Sequence, residues 1–154
     1  MARAMRSLVP MTAPSLESNH EADREPSPER ARRALLVDDE PVIRFALRRF
    51  FQRQGWQVDE AEDGEEALAR ILGQTAAYDV IISDLRMPGL SGIEMHARLE
   101  RERPEVLRRL IFSTGDSVSP DAAAFIRRSD CPVLNKPFEL AELRDLVTRV
   151  CANA

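Results

Sequence analysis

Four short apolar runs in this chain each stop at a residue that carries charge or a hydroxyl, and helical periodicity follows each of them. The runs are Leu35-Leu36-Val37 before Asp38-Asp39, Val80-Ile81-Ile82 before Ser83-Asp84, Leu110-Ile111-Phe112 before Ser113-Thr114, and Val133-Leu134 before Asn135-Lys136. Uninterrupted apolar runs of this length read as strands covered on both faces. Between them, Pro41 opens a helix whose Ile43, Ala46, Leu47, Phe50 and Phe51 recur at three-four spacing, and Gly55 ends it. Trp56-Gln57-Val58 reads as a further strand, Asp63-Gly64 as a turn, and residues 65–72 as a short helix. Pro88-Gly89 and Ser91-Gly92 carry turn chemistry, and a helix over 93–102 is stopped by Pro104. Ser119-Pro120-Asp121 places a cap, a proline and an acid in the order of a helix start. Leu140, Leu143, Leu146, Val147 and Val150 mark the last helix.

Strands and helices in strict alternation imply a parallel sheet with helices on both faces. Right-handed crossovers leave few topologies, and in open sheets of this kind ligands sit at the carboxyl ends of the strands, where strand order reverses. Each polar group named above lies at such an end.

At 154 residues the chain suffices for one domain with a real core. A formal net charge of -4 argues against a nucleic-acid-binding domain, since those are usually basic. Cys131 and Cys151 have no metal-ligand spacing and suggest free, reduced thiols, so a cytoplasmic location is expected. No apolar stretch is long enough to span a bilayer. Residues 1–33 differ in kind: they hold prolines, intermixed charges and no aromatic residue, and are expected to be a disordered tail before a folded domain over 34–154. Pro10 and Pro14 interrupt the short apolar run there, so a solvated extension is expected rather than a secretory signal.

Lys136 is the single lysine against twenty-one arginines. An ammonium is a compact point charge, so a small site can need it and exclude the planar guanidinium. Asp38, Asp39 and Asp84 would repel one another unless a cation relieved them, and oxygen-only ligation suits Mg²⁺. Asp38-Asp39-Glu40 also reads as an acidic helix start, but Asp84 ends a strand and has no such account. A metal, an aspartate, a lysine and a hydroxyl at neighbouring strand ends suit phosphoryl transfer, in which aspartate can be the nucleophile.

Together these residues resemble the receiver domain of two-component response regulators. The likeness runs through Asp38-Asp39, Asp63-Gly64, Asp84 with Met87-Pro88-Gly89, Ser113-Thr114 and Lys136-Pro137-Phe138. It implies a flavodoxin-like (βα)5 fold, a doubly wound parallel sheet with strand order 2-1-3-4-5. It implies Asp84 as phosphoacceptor, with Mg²⁺ held by Asp39 and Asp84, by Asp38 through water, and by the backbone carbonyl of Arg86. Lys136 would hold a phosphoryl oxygen, Thr114 would swing toward the phosphoryl group and Gly115 would move with it, and the Lys136-Pro137 bond would be cis. Arg86 and Asp116 would flank the path of the hydrolytic water. The family often has an aromatic residue where Val133 stands, so the aromatic part of the switch is missing and activation is expected to travel through residues 115–119.

The expected function is that of a single-domain response regulator, because the last helix ends near Ala152 and leaves no room for an output domain. It would catalyse only its own phosphorylation and dephosphorylation, with a histidine kinase or histidine phosphotransfer protein as donor, and output by relay or protein contact. The motifs look most like receivers of hybrid kinases. A small Mg²⁺-dependent phosphatase of the aspartyl-phosphate type is a rival reading, but it would want an acid where Arg86 stands. A phosphorylation-independent binding module is supported by Val133 alone. Arg44, Arg48, Arg49 and Arg53 read as a solvated face of the first helix or, with Phe45, as a docking surface. His20 and His96 neighbour no motif expected of a phosphodonor histidine.

Overall fold

The structure, a computed structural model, describes residues 30–73, 77–115 and 119–153. Strands β1 (Arg33–Val37), β2 (Gln57–Ala61), β3 (Val80–Asp84), β4 (Leu110–Thr114) and β5 (Val133–Asn135) form one sheet in the order β2-β1-β3-β4-β5. Every pairing is parallel. Helices α1 (Pro41–Arg53), α2 (Gly64–Gly73), α3 (Gly92–Glu102), α4 (Pro120–Ser129) and α5 (Leu140–Ala152) alternate with the strands.

Alternation along each strand sends successive side chains to opposite faces, and this divides the core in two. Leu35, Val37, Ile81, Leu110 and Phe112 pack against Leu68 and Ile71 of α2, Met95 and Leu99 of α3 and Phe125 of α4. Leu36, Val80, Ile82, Ile111 and Leu134 pack against Leu47, Phe50 and Phe51 of α1 and Leu143, Val147 and Val150 of α5. The register then brings the strand ends level. Val37 pairs with Ser83, Asp84 with Ser113, and Thr114 with Asn135, so Asp38, Asp84, Thr114 and Lys136 emerge along one edge. Strand order reverses between β1 and β3, which opens the crevice where such sheets bind ligands.

Three elements depart from the sequence expectation. The second strand runs on to Ala61 through Asp59 and Glu60, because β2 is an edge strand whose half-exposed positions tolerate charge. Trp56 precedes it and packs edge-on to Phe51, with ring centroids 5.0 Å apart. Pro104 ends α3 but opens a 3₁₀ helix over Pro104–Arg109 that the periodicity does not signal. Ser91-Gly92 is a helix start rather than a turn: the Ser91 hydroxyl accepts from the Glu94 amide at 3.2 Å, and Gly92 is the first residue of α3. Ser119 caps α4 in the same way, accepting from the Ala122 amide.

Candidate functional site

Asp38 lies one residue past β1, where its amide still donates to the Ala61 carbonyl at 3.1 Å. It is 1% exposed, and each of its carboxylate oxygens accepts a hydrogen bond. Its Oδ1 accepts from the Glu40 amide at 2.9 Å and its Oδ2 from Lys136 Nζ at 2.7 Å. The same ammonium donates to Asp84 Oδ2 at 3.1 Å. Asp84 Oδ1 accepts from the Arg86 amide at 3.2 Å. The lone lysine thus bridges residues 98 and 52 positions away in the chain.

Burial raises the Asp84 carboxyl above its ordinary pKa of 3.8, Lys136 and the Arg86 amide oppose that, and Asp38 adds to it. For Lys136, burial alone would lower the pKa, but the bonds and charges of Asp38 and Asp84 outweigh it and raise the value. Desolvation therefore prevails at the aspartate and pairing prevails at the lysine, which stays an ammonium.

Asp38, Asp39, Glu40 and Asp84 each present an oxygen within 4.8 Å of the others. Lys136 cancels one of these four charges, and it reaches Glu40 at 3.9 Å as well. Asp39 is exposed, and its carboxylate has no hydrogen-bond or ion-pair partner among the described residues. An all-oxygen set with residual negative charge and an unpaired exposed carboxylate fits a hard divalent cation such as Mg²⁺. Glu40 was not among the ligands expected from sequence, where it read as part of a helix start. It is that too: it occupies the N-cap of α1, with no side-chain cap bond.

Thr114 is buried at the end of β4, and its carbonyl accepts from the Lys136 amide at 2.7 Å. Among the described residues its hydroxyl donates a long 3.5 Å bond to the Gly115 carbonyl. The Lys136-Pro137 bond is cis, as expected. Val133 is half-buried beside the cluster that includes Phe112, its partner in the sheet. Arg86 is exposed, whereas Asp116 lies outside the described residues. Two glycines explain motif positions that spacing alone does not. A Cβ on Gly64 would strike the Leu90 carbonyl oxygen, and one on Gly92 would strike the carbonyl oxygen of Asp84 itself.

The arginines of α1 do not form one solvated face. Arg44 is turned inward with its side chain 12% exposed, and Nη1 donates to the Asp38 carbonyl at 2.6 Å. Arg48 pairs with Glu60 at 2.8 Å. Phe45 is 50% exposed, with the guanidinium carbons of Arg48 and Arg49 at 5.5 and 5.7 Å from its ring centroid.

Known proteins resemble this chain in sequence and fold. Residues 34–148 match the response regulator receiver domain. Transcriptional regulatory protein TrcR of Mycobacterium tuberculosis is 33% identical over 124 residues, 80% of this chain and 45% of TrcR. Transcriptional activator protein PfeR of Pseudomonas aeruginosa is 35% identical over 127 residues, 81% of this chain and 38% of PfeR. The chain thus spans less than half the length of these curated relatives. A response regulator receiver protein from Pseudomonas putida has a TM-score of 0.68 at 28% identity, covering 77% of this chain and 97% of that one. The Vibrio cholerae chemotaxis protein CheY4 has a TM-score of 0.67 at 29% identity, covering 78% and 98%. With its motifs, strand order and strand-end residues in agreement with that match, the chain belongs to the response regulator receiver domain family.

Proposed function

We propose that Asp84 accepts a phosphoryl group from a phosphohistidine, carried by a histidine kinase or a histidine phosphotransfer protein in two-component signalling. The observation that carries this reading is the placement of Lys136 Nζ 3.1 Å from Asp84, at the rim of a four-acid cluster. In the transfer an Asp84 oxygen forms the new O–P bond as the donor's P–N bond breaks. The departing imidazole keeps the electron pair and takes a proton from solvent. Burial leaves the Asp84 carboxylate poorly solvated, which favours its attack.

Asp39 and Asp84 would hold Mg²⁺ with the Arg86 backbone carbonyl, while Asp38 would act mainly through water and Glu40 would lie at the rim. Bound there, the ion would neutralise charge on the transferring oxygens. Lys136 already faces Asp84 and would contact a phosphoryl oxygen on it. The Thr114 hydroxyl, which donates a long 3.5 Å bond to the Gly115 carbonyl, would turn to the same group and draw Gly115 with it. With Val133 in place of an aromatic side chain, the change would pass through residues 115–119. Arg86 and Asp116 would set the rate at which water removes the phosphoryl group.

The donor would dock on α1. A groove of about 560 Å³ there is lined by Phe45, Leu140, Arg49, Arg53 and Arg144 among others, with no acid. On a chain of net charge -4, this suits a partner helix with acidic and apolar residues. Output would pass by relay or protein contact in the cytoplasm; no helix among the described residues is long and apolar enough to cross a membrane.

Incubation of the protein with Mg²⁺ and radiolabelled acetyl phosphate tests the assignment. Wild type should take up a base-labile label and Asp84→Asn should not. Undiminished labelling of Asp84→Asn would overturn it.

A further inference from the structure

Resting on the reading of Asp38, Asp39 and Asp84 as a cation site, we infer that Arg44 is a positioning residue that fixes the β1–α1 loop carrying those acids. Asp39 is the ligand with no side-chain partner among the described residues, so its placement depends on the peptide groups on either side of it. The peptide after it is held by the Glu40 amide, which donates to Asp38 Oδ1 at 2.9 Å. The peptide before it is held by Arg44, whose Nη1 donates to the Asp38 carbonyl at 2.6 Å. With Lys136 on Oδ2, all three acceptor oxygens of Asp38 are then occupied by different parts of the chain.

Arg44 is itself tied down. Its Nε lies 3.4 Å from Glu60 Oε1 and its Nη2 3.7 Å from Glu62 Oε1, which anchors the guanidinium to β2 and the loop after it. A guanidinium has a rigid fork of donors, so it can hold a carbonyl and a carboxylate at once. Arg48 provides an internal comparison: it pairs with the same Glu60 and, among the described residues, makes no hydrogen bond or ion pair to Asp38.

Charge and positioning predict opposite signs. A cation beside a Mg²⁺ site repels the metal, so removing Arg44 would tighten binding if its charge were all that mattered. Removing a group that orients the ligands weakens metal binding instead, typically by about tenfold or more.

The experiment is isothermal titration of the full chain with Mg²⁺, with circular dichroism and thermal unfolding recorded for each variant. Arg44→Met should raise the Mg²⁺ Kd by about tenfold with the fold retained. Arg44→Gln, which keeps an N–H donor, serves where Arg44→Met is poorly folded and should also bind more weakly than wild type. Arg48→Met should change the Kd by less than about twofold, as expected for a half-exposed pair that does not hold the Asp38 carbonyl. Binding by a folded Arg44 variant as tight as wild type or tighter overturns the inference, and so does equal weakening in Arg48→Met. Absence of Mg²⁺ binding by wild type, or undiminished binding by Asp39→Asn, overturns the cation-site reading and the inference with it.

Discussion

Lys136 Nζ lies closer to Asp38, at 2.7 Å, than to the proposed phosphoacceptor Asp84, at 3.1 Å. Its stronger resting contact is therefore with the most buried acid of the cluster. An ammonium can keep that contact and still turn another N–H toward an oxygen carried on Asp84, because its three donors rotate about one bond. A guanidinium is larger and its donors point in fixed directions, so it would not fit where one nitrogen lies 2.7 and 3.1 Å from two carboxylate oxygens. Lys136→Arg should retain Mg²⁺ binding and lose the conformational response to phosphorylation. Amide chemical shifts with and without beryllofluoride report this, and a wild-type response would refute the argument from the lone lysine.

Ionisation of Asp84 opposes folding, because burial raises its pKa in the folded chain above the ordinary 3.8. Its contribution to stability is present below the unfolded pKa and is lost as pH rises through the folded one. At neutral pH without metal, Asp84→Asn should therefore melt at a higher temperature than wild type. Mg²⁺ should raise the melting temperature of wild type more than that of the variant. Thermal unfolding at pH 7, in chelator and then in excess Mg²⁺, checks both orderings.

The two kinds of information about this site were unequally legible. Strand ends are written in the chain as apolar runs terminated by polar residues, so the sequence alone groups Asp38, Asp84, Thr114 and Lys136, and the sheet order follows from the resemblance. Arg44 could not be placed that way. It sits at the boundary of α1's polar face, and whether such a side chain reaches solvent or folds back onto a carbonyl depends on the acids of β2 beside it. Gly92 reads as a turn for a related reason, since turn residues and helix starts share the same composition. The Asp59-Glu60 end of β2 carries charge because it lies at the sheet edge, and edge position is a property of topology rather than of the local run.

Gly92→Ala tests close packing beneath Asp84. Alanine is the better helix former by about 1 kcal/mol, so a purely local view has the variant more stable. The added Cβ would strike the Asp84 carbonyl oxygen and lie 3.1 Å from the Leu85 Cα, both rigid backbone. The collision should prevail, with a loss of about 1–3 kcal/mol and slower labelling by acetyl phosphate. Urea unfolding measures the first effect. A variant as stable as wild type would show that β3 and α3 can separate freely.

His96 should make the fold acid-sensitive independently of the acidic cluster. It projects from α3 and is 6% exposed, edge-on to Phe125 with ring centroids 5.0 Å apart. Phe112 lies on another side at 6.1 Å, and Nε2 has no hydrogen-bond partner among the described residues. Burial lowers its pKa below the ordinary 6.5; Glu100 opposes this and Arg128 adds to it. A depressed histidine is neutral when folded and charged when unfolded in acid, so the unfolded chain binds the extra proton. Stability is then complete above the unfolded pKa and declines as pH falls through 6.5, by at most about 1.4 kcal/mol per pH unit from this one group. His96→Leu keeps the apolar surroundings and removes the titration, so its stability should fall less steeply between pH 7.5 and 5.5. Urea unfolding of both proteins at those two values gives the slopes, and equal slopes would show that His96 takes up its proton in the folded chain without cost.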